Sequence, residues 1–148
     1  MTMRVLAVDP GVTTGLAHYD GTEPPRAEQH PALDALIVAA LIVRDGVDLV
    51  ASEAFVISAG TLRKSRDGQT SIEVIGALRW LCHEHGVRFE LQPAAEALKL
   101  VTNDKLRALG WWCQGDHARD ASRHLAYAMA RHGAIDRARL LTRNMGTI

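Results

Sequence analysis

Three carboxylates and an imidazole stand out by where they fall. Asp9 ends the apolar run Val5 to Val8 just before Pro10-Gly11, and Glu53 ends a second run that begins at Val47. His117 and Asp120 lie three residues apart, in the stretch Asp116 to Ala121. Acids brought close together repel and push protons onto one another unless cations sit among them. Hard divalent ions meet that need: oxygen-rich ligation that keeps several waters suits Mg²⁺ or Mn²⁺, and Mn²⁺ takes an imidazole more readily. Two such ions about 3.5 to 4 Å apart flank a phosphodiester, one lowering the pKa of an attacking water and the other stabilising the departing oxygen. In that arrangement Asp9 bridges the ions, Glu53 and Asp120 hold one each, and His117 either ligates an ion or orients and activates the water. Singly, each residue has an ordinary explanation: a turn former, a solvated strand end, a complement to a helix dipole, a half-buried histidine. The inference rests on the four together.

Such residues need elements that bring them to one place. Val5 to Asp9 reads as a buried strand stopped by Pro10-Gly11. Gly15 to Tyr19 and Arg26 to His30 read as two more strands around a turn at Gly21 to Pro25, linked tightly enough to be antiparallel. Pro31 to Arg44 carries Leu33, Leu36, Ile37, Ala40 and Leu41 at helical spacing, and Gly46 closes it before the apolar strand Val47 to Glu53. Strand, helix, strand implies a crossover, so the Glu53 strand runs parallel to the sheet it rejoins. Beside the Asp9 strand, about 4.8 Å away, it would release both carboxylates at one sheet edge. Open α/β sheets bind ligands beyond the carboxyl ends of their strands.

The rest of the chain supplies the covering helices. Ala54 to Gln69 reads as a polar, basic loop, and Thr70 or Ser71 as the cap of a helix to about His85, with Glu73 near capping-box position. Val87 to Gln92 is a further strand, and Ala94 to Gly110 forms one or two short helices. Asp116 is the expected cap of a helix from His117 to about His132, whose first turn presents His117 and Asp120 on one face. The expectation is an α/β fold with a mixed sheet, in one domain over residues 1–148.

Bulk composition narrows the classes. With 47% hydrophobic and 23% charged residues the chain is an ordinary globule. The apolar stretch Ala35 to Val43 falls far short of the roughly 20 residues that span a bilayer, so an untargeted cytosolic protein is expected, with no membrane partner. Cys82 and Cys113 lack the spacing of a zinc site or a disulfide framework. Seventeen basic residues balance seventeen acidic ones, with basic residues gathered at Arg63, Lys64 and Arg66 and again at Arg131, Arg137, Arg139 and Arg143.

At the four site residues the chain resembles the RuvC family of Holliday-junction resolvases, particularly the small RuvC-like endonucleases of phages, within the RNase H-like superfamily. Asp9-Pro10-Gly11 in the first strand, Glu53 ending the fourth, and His117, Asp120 and Ala121 opening the last long helix carry the resemblance. It implies an RNase H-like fold: a five-stranded mixed sheet in the order 3-2-1-4-5, flanked by helices. It also implies a divalent-metal-dependent endodeoxyribonuclease using two Mg²⁺ ions, for which Mn²⁺ can substitute. The substrates would be Holliday junctions or other branched DNA such as flaps or forks, cut to leave 5′-phosphate and 3′-hydroxyl ends. A homodimer would present two sites to symmetric strands, in the cytosol of a bacterium or phage-infected host. The resemblance lends phosphate contacts to Lys99 and Lys105, DNA contacts to Arg63, Lys64 and Arg66 in the loop after Glu53, and a junction wedge to Phe55, for which core packing is the competing expectation. Overall neutrality sets the chain apart from a strongly basic resolvase.

Two other readings compete. Asp9, Gly11, Thr13, Thr14 and Gly15 also resemble the first phosphate loop of actin-like or sugar-kinase-type ATP-binding domains, which need two such domains to close on nucleotide. A non-catalytic branched-DNA-binding protein could keep the fold, although the full acidic set argues against it. Cys82, His83, Glu84 and His85 read as a plain helix end, Trp111 and Trp112 as anchors of the last helix, and His124 as ordinary packing rather than a residue that orients a ligand. The helix over 71–85 carries Ile72, Ile75 and Cys82 on one face and Val74, Leu78 and Leu81 on another, which suits a core and a dimer partner together.

Overall fold

The computed structural model describes residues 2–55 and 66–141, excepting the side chains of Arg66, Arg137 and Leu141. Arg63 and Lys64 lie outside the described residues. Three strands, β1 (Val5–Asp9), β2 (Thr13–Tyr19) and β3 (Arg26–Pro31), form an antiparallel meander. Helix α1 (Ala32–Asp45) crosses over to β4 (Leu49–Glu53), parallel to β1, and α2 (Arg66–His85) leads to β5 (Arg88–Gln92), parallel to β4. The short helices α3 (Ala94–Leu100) and α4 (Asn103–Leu109) precede α5 (Asp116–Arg131), and α6 (Arg137–Leu141) follows it. The sheet order is β3-β2-β1-β4-β5.

The apolar runs are continuous because both faces of the sheet are covered. Val5 and Ala7 on β1, with Leu49 and Ala51 on β4, pack under α3 to α6, where Leu106, Leu125 and Met129 are fully buried. Leu6, Val8 and Val50 point the other way, against Ala35, Ala39 and Val43 of α1 and Val74, Leu78 and Cys82 of α2. Alternation thus sorts the centre of the sheet into two cores.

Three expectations change. Helix α1 buries Ala35, Ala39 and Val43 and leaves Leu33 (76% exposed), Ile37 and Leu41 toward solvent. A helix apolar nearly all round does not declare its buried face, and the small alanines let α1 approach the sheet closely. Helix α2 starts at Arg66, several residues before Thr70 and Ser71, because its polar first turn has no apolar period to announce it. Ser71 is therefore not a cap: its hydroxyl donates to the carbonyls of Asp67 (2.8 Å) and Pro10 (2.9 Å). Cys82 shares the buried face with Val74 and Leu78, while Ile72 and Trp80 are exposed. Both cysteines are free, and no helix among the described residues is long and apolar enough to cross a membrane.

Candidate active site

Strand alternation decides which face receives each acid. Asp9 lies two residues beyond Ala7, and Glu53 two beyond Ala51, so both carboxylates point to the α5 side of the sheet. The parallel register pairs Val8 with Ser52, which brings Asp9 and Glu53 level one residue later. Across the meander, Asp9 pairs with Gly15 and Gly15 with Gln29; on the other side Glu53 pairs with Gln92. One row across the five strands therefore reads Gln29, Gly15, Asp9, Glu53, Gln92, and α5 lies over it.

Each member of the row meets α5 differently. A Cβ on Gly15 would overlap the His117 carbonyl, so the missing side chain is what lets the helix sit so low. The Gln29 side-chain oxygen accepts from the backbone N–H groups of His117 (3.2 Å) and Ala118 (3.3 Å), doing the work of an N-cap from a distant strand. Asp116, expected to cap, instead pairs with Arg119 at 3.1 Å, and the N-cap position belongs to Gly115 at φ 90°. Replacing Gln29 with Leu should cost about 1 kcal/mol through these two donors. The expected signature is faster hydrogen exchange at the His117 and Ala118 amides, with β1 protection unchanged.

With α5 so placed, His117 Nδ1 lies 3.0 Å from Asp9 Oδ2. One turn on, Asp120 is half exposed and lies 3.5 Å from the Arg123 guanidinium. Arg123 is itself buried, donating to the Val101 carbonyl (2.9 Å) and to Asn103 (2.7 Å). Two turns after His117, His124 reaches Glu53 through Nε2 (3.3 Å) and Gln92 through Nδ1 (2.8 Å). The expectation of mere packing at His124 is corrected. Its spacing of seven from His117 was the available signal, but spacing alone does not say what lies opposite.

The electrostatics follow from that crowding. Asp9, 8% exposed, has its carboxyl pushed up to about 9 by burial first, then by the hydrogen bond it shares with Glu53 and by the charges of Glu53, Asp120 and Asp67. Glu53 is held below the usual carboxylate range, chiefly by its hydrogen bond from His124. Asp9 thus holds the proton and Glu53 the charge. A carboxyl that retains its proton this firmly, beside a second acid and an imidazole, belongs to the hard oxygen and nitrogen donor set that Mg²⁺ or Mn²⁺ takes, and a dication in place of the proton would relieve the repulsion. The chemistry of the donors fits. In this conformation the side chains are closed into pairs, Asp9 with His117, Glu53 with His124 and Asp120 with Arg123. Among the described residues no three acid, histidine or cysteine groups gather on one point.

The remaining candidates are dispersed. Lys99 is exposed near the end of α3. Lys105 folds back to donate to the Leu100 carbonyl at 2.9 Å, ending α3. Phe55, two residues past β4, is partly buried at the end of a described stretch. The backbone of Arg66 opens α2. Trp111 is core and donates to Glu23 at 2.9 Å, while Trp112 lies between the guanidinium groups of Arg107 (3.9 Å) and Arg119 (4.0 Å). In the Gly11 to Gly15 turn, the Val12 N–H donates to Asp67 (2.7 Å) and the Gly11 N–H to the Thr14 hydroxyl (3.3 Å). Those amides are already engaged.

A three-stranded meander continued by two parallel strands, with helices on both faces and acids at the edge under the last long helix, is the RNase H-like fold. Within it the chain has the RuvC-like form. It is similar to "T. thermophilus RuvC in complex with Holliday junction substrate" at TM-score 0.65 and 20% identity, over 89% of this chain and 97% of that one. A second Thermus thermophilus RuvC structure matches at TM-score 0.58 and 19% identity, over 89% and 98%. No protein-family profile and no curated protein matches the sequence.

Proposed function

We propose that the chain is a divalent-metal-dependent, structure-selective endodeoxyribonuclease that cuts Holliday junctions or other branched DNA. One observation carries the reading: a single cross-strand row brings Asp9 and Glu53 under the helix that bears His117 and Asp120, in a fold shared with a RuvC bound to a Holliday junction. Asp9, Glu53 and Asp120 would hold two Mg²⁺ ions, with His117 as a further ligand or as the group that orients the water. When bound, the ions supply an activated water and neutralise charge on the phosphodiester, giving 5′-phosphate and 3′-hydroxyl ends.

The chain's own residues set the geometry of that reaction. Gln29 and Gly15 fix the height and direction of the first turn of α5, hence where His117 and Asp120 stand. Burial of Asp9 keeps its carboxyl in a low-dielectric setting, where electrostatic effects are stronger than in bulk water. Exposed Lys99 can meet a phosphate as it stands, whereas Lys105 must first leave the Leu100 carbonyl. Arg63, Lys64 and Arg66 are the proposed contacts of the segment after Glu53, and Phe55, partly exposed, remains the proposed wedge. A homodimer would place two such sites on symmetric strands of a four-way junction. The engaged amides of the Gly11 to Gly15 turn disfavour the ATP-binding alternative.

The test is cleavage of labelled four-way, flap, fork and linear DNA in Mg²⁺, Mn²⁺ or EDTA. Branched substrates should be cut only with metal, and linear duplex should survive. Cleavage that persists in EDTA, or no cleavage of any branched substrate, would overturn the reading.

A further inference from the structure

We infer that His124 and Gln92 act as a positioning pair that fixes the Glu53 carboxylate for ion binding, an inference that rests on the nuclease reading above. Glu53 is the longest of the three acids and stands at a sheet edge, its side chain about one quarter exposed. An unrestrained glutamate there would sample many rotamers, and each ion bound would have to select one. The ring of His124 limits that freedom through Nε2, while Gln92 holds the ring by Nδ1. The β4–β5 register makes this possible: Gln92 is the direct cross-strand partner of Glu53, so one ring on α5 bridges both.

The pair does not serve packing. His124 is 2% exposed and Gln92 0%, and the cluster over this face consists of Ala97, Val101, Ala121, Leu125 and their neighbours, which would accept aliphatic side chains. Burying polar groups is costly unless every donor and acceptor is matched. Gln92 Nε2 is buried with no partner among the described residues, so the amide is retained at a cost that the apolar core does not require. What the arrangement gains is a fixed carboxylate oxygen at Glu53. Outer partners of metal-binding carboxylates act in this way, and their loss typically weakens metal affinity by about 10- to 100-fold.

Substitutions that differ only in reach separate positioning from structure. The amide nitrogen of a glutamine overlays imidazole Nε2, whereas that of an asparagine overlays Nδ1 and stops short of Glu53. The full chain, free of DNA, is titrated with Mn²⁺ and followed by electron paramagnetic resonance, for wild type, His124→Gln, His124→Asn and Gln92→Leu, with circular dichroism melts alongside. His124→Asn should weaken Mn²⁺ binding at least about tenfold, His124→Gln should stay within about threefold of wild type, and Gln92→Leu should fall between them. Equal affinities for the Gln and Asn variants, or a His124→Asn protein that binds like wild type, would overturn the inference. Should His124→Asn not fold, Gln92→Leu decides, and unchanged affinity there overturns it. Absence of Mn²⁺ binding by wild type overturns it too. Mn²⁺ binding with the expected order of variants but no cleavage of branched DNA supports the pair and refutes the nuclease reading alone.

Discussion

Asp9→Asn should lower metal-dependent cleavage of a four-way junction by about a thousandfold or more and, in the same protein, raise the metal-free melting temperature at neutral pH. The first effect follows from removing an acid proposed to hold the ions, worth about 4 kcal/mol of transition-state stabilisation. The second follows from the cost of the same carboxyl without a cation. Its folded-state pKa of about 9 lies above the ordinary aspartate value of 3.8, so the folded state retains a proton that the unfolded chain releases. The stability Asp9 contributes is fully present below pH 3.8 and is lost as pH rises through about 9. Metal-free wild type should therefore melt at progressively lower temperature between pH 5 and pH 9 relative to Asp9→Asn. Mg²⁺ should restore the wild type and not the variant. Melts in EDTA across that range, paired with cleavage assays, check both halves. A variant that melts below wild type at pH 8 in EDTA would show that Asp9 is not under electrostatic strain.

Gly15→Ala should be strongly damaging, because no other glycine assessed among the described residues would bring a Cβ so close to backbone. The added carbon meets the carbonyl of His117, a backbone group that cannot rotate away, so α5 must lift from the sheet. Overpacking of this kind costs about 1 to 3 kcal/mol and sometimes more. At roughly 3 to 4 °C per kcal/mol for a chain of this size, melting should fall by about 10 °C. The lift also carries His117 and Asp120 away from Asp9 and Glu53, and a misplacement of about 1 Å is enough to reduce turnover about a hundredfold. Gly76→Ala is the matched control, since nothing lies within 4 Å of a Cβ there and the position is helical. That variant should be neutral or stabilised by up to about 1 kcal/mol. In circular dichroism melts Gly15→Ala should fall while Gly76→Ala stays level or rises. Similar melting for both would mean that α5 is not seated on Gly15.

The strands were legible because their physics is local. Val5 to Val8 is an apolar run ended by Asp9, Leu49 to Ala51 is another with only Ser52 before Glu53, and the helix between them forces a parallel return. The strand order β3-β2-β1-β4-β5 is the one the resemblance implied. What escaped the sequence is what depends on distant partners. Asp116 has the residue type and position of a cap, yet the donors of α5 are met by Gln29, 88 residues away on β3. His124 looked like one more buried helix residue because nothing in its neighbourhood announces Glu53 and Gln92. Lys105 looked like a free cation, and its use of the Leu100 carbonyl depends on how two short helices abut. The buried face of α1 was hidden by its own uniform hydrophobicity. The convergence of Asp9 with Glu53 was foreseeable from topology, whereas the pairing of side chains within the site was not.

The cross-strand row has a consequence for how such a chain can change length. Side chains alternate with a period of two, so inserting or deleting one residue within β4 ahead of Glu53 would send its carboxylate into the α1 and α2 layer. Two residues restore the face but displace the acid along the strand by about 6.6 Å, past the level of Asp9. The same parity binds Asp9 to β1 and Gln29 to β3. Length variation is therefore barred inside these strands by an odd-even rule as much as by hydrogen bonding, and is confined to the turns and crossovers between them.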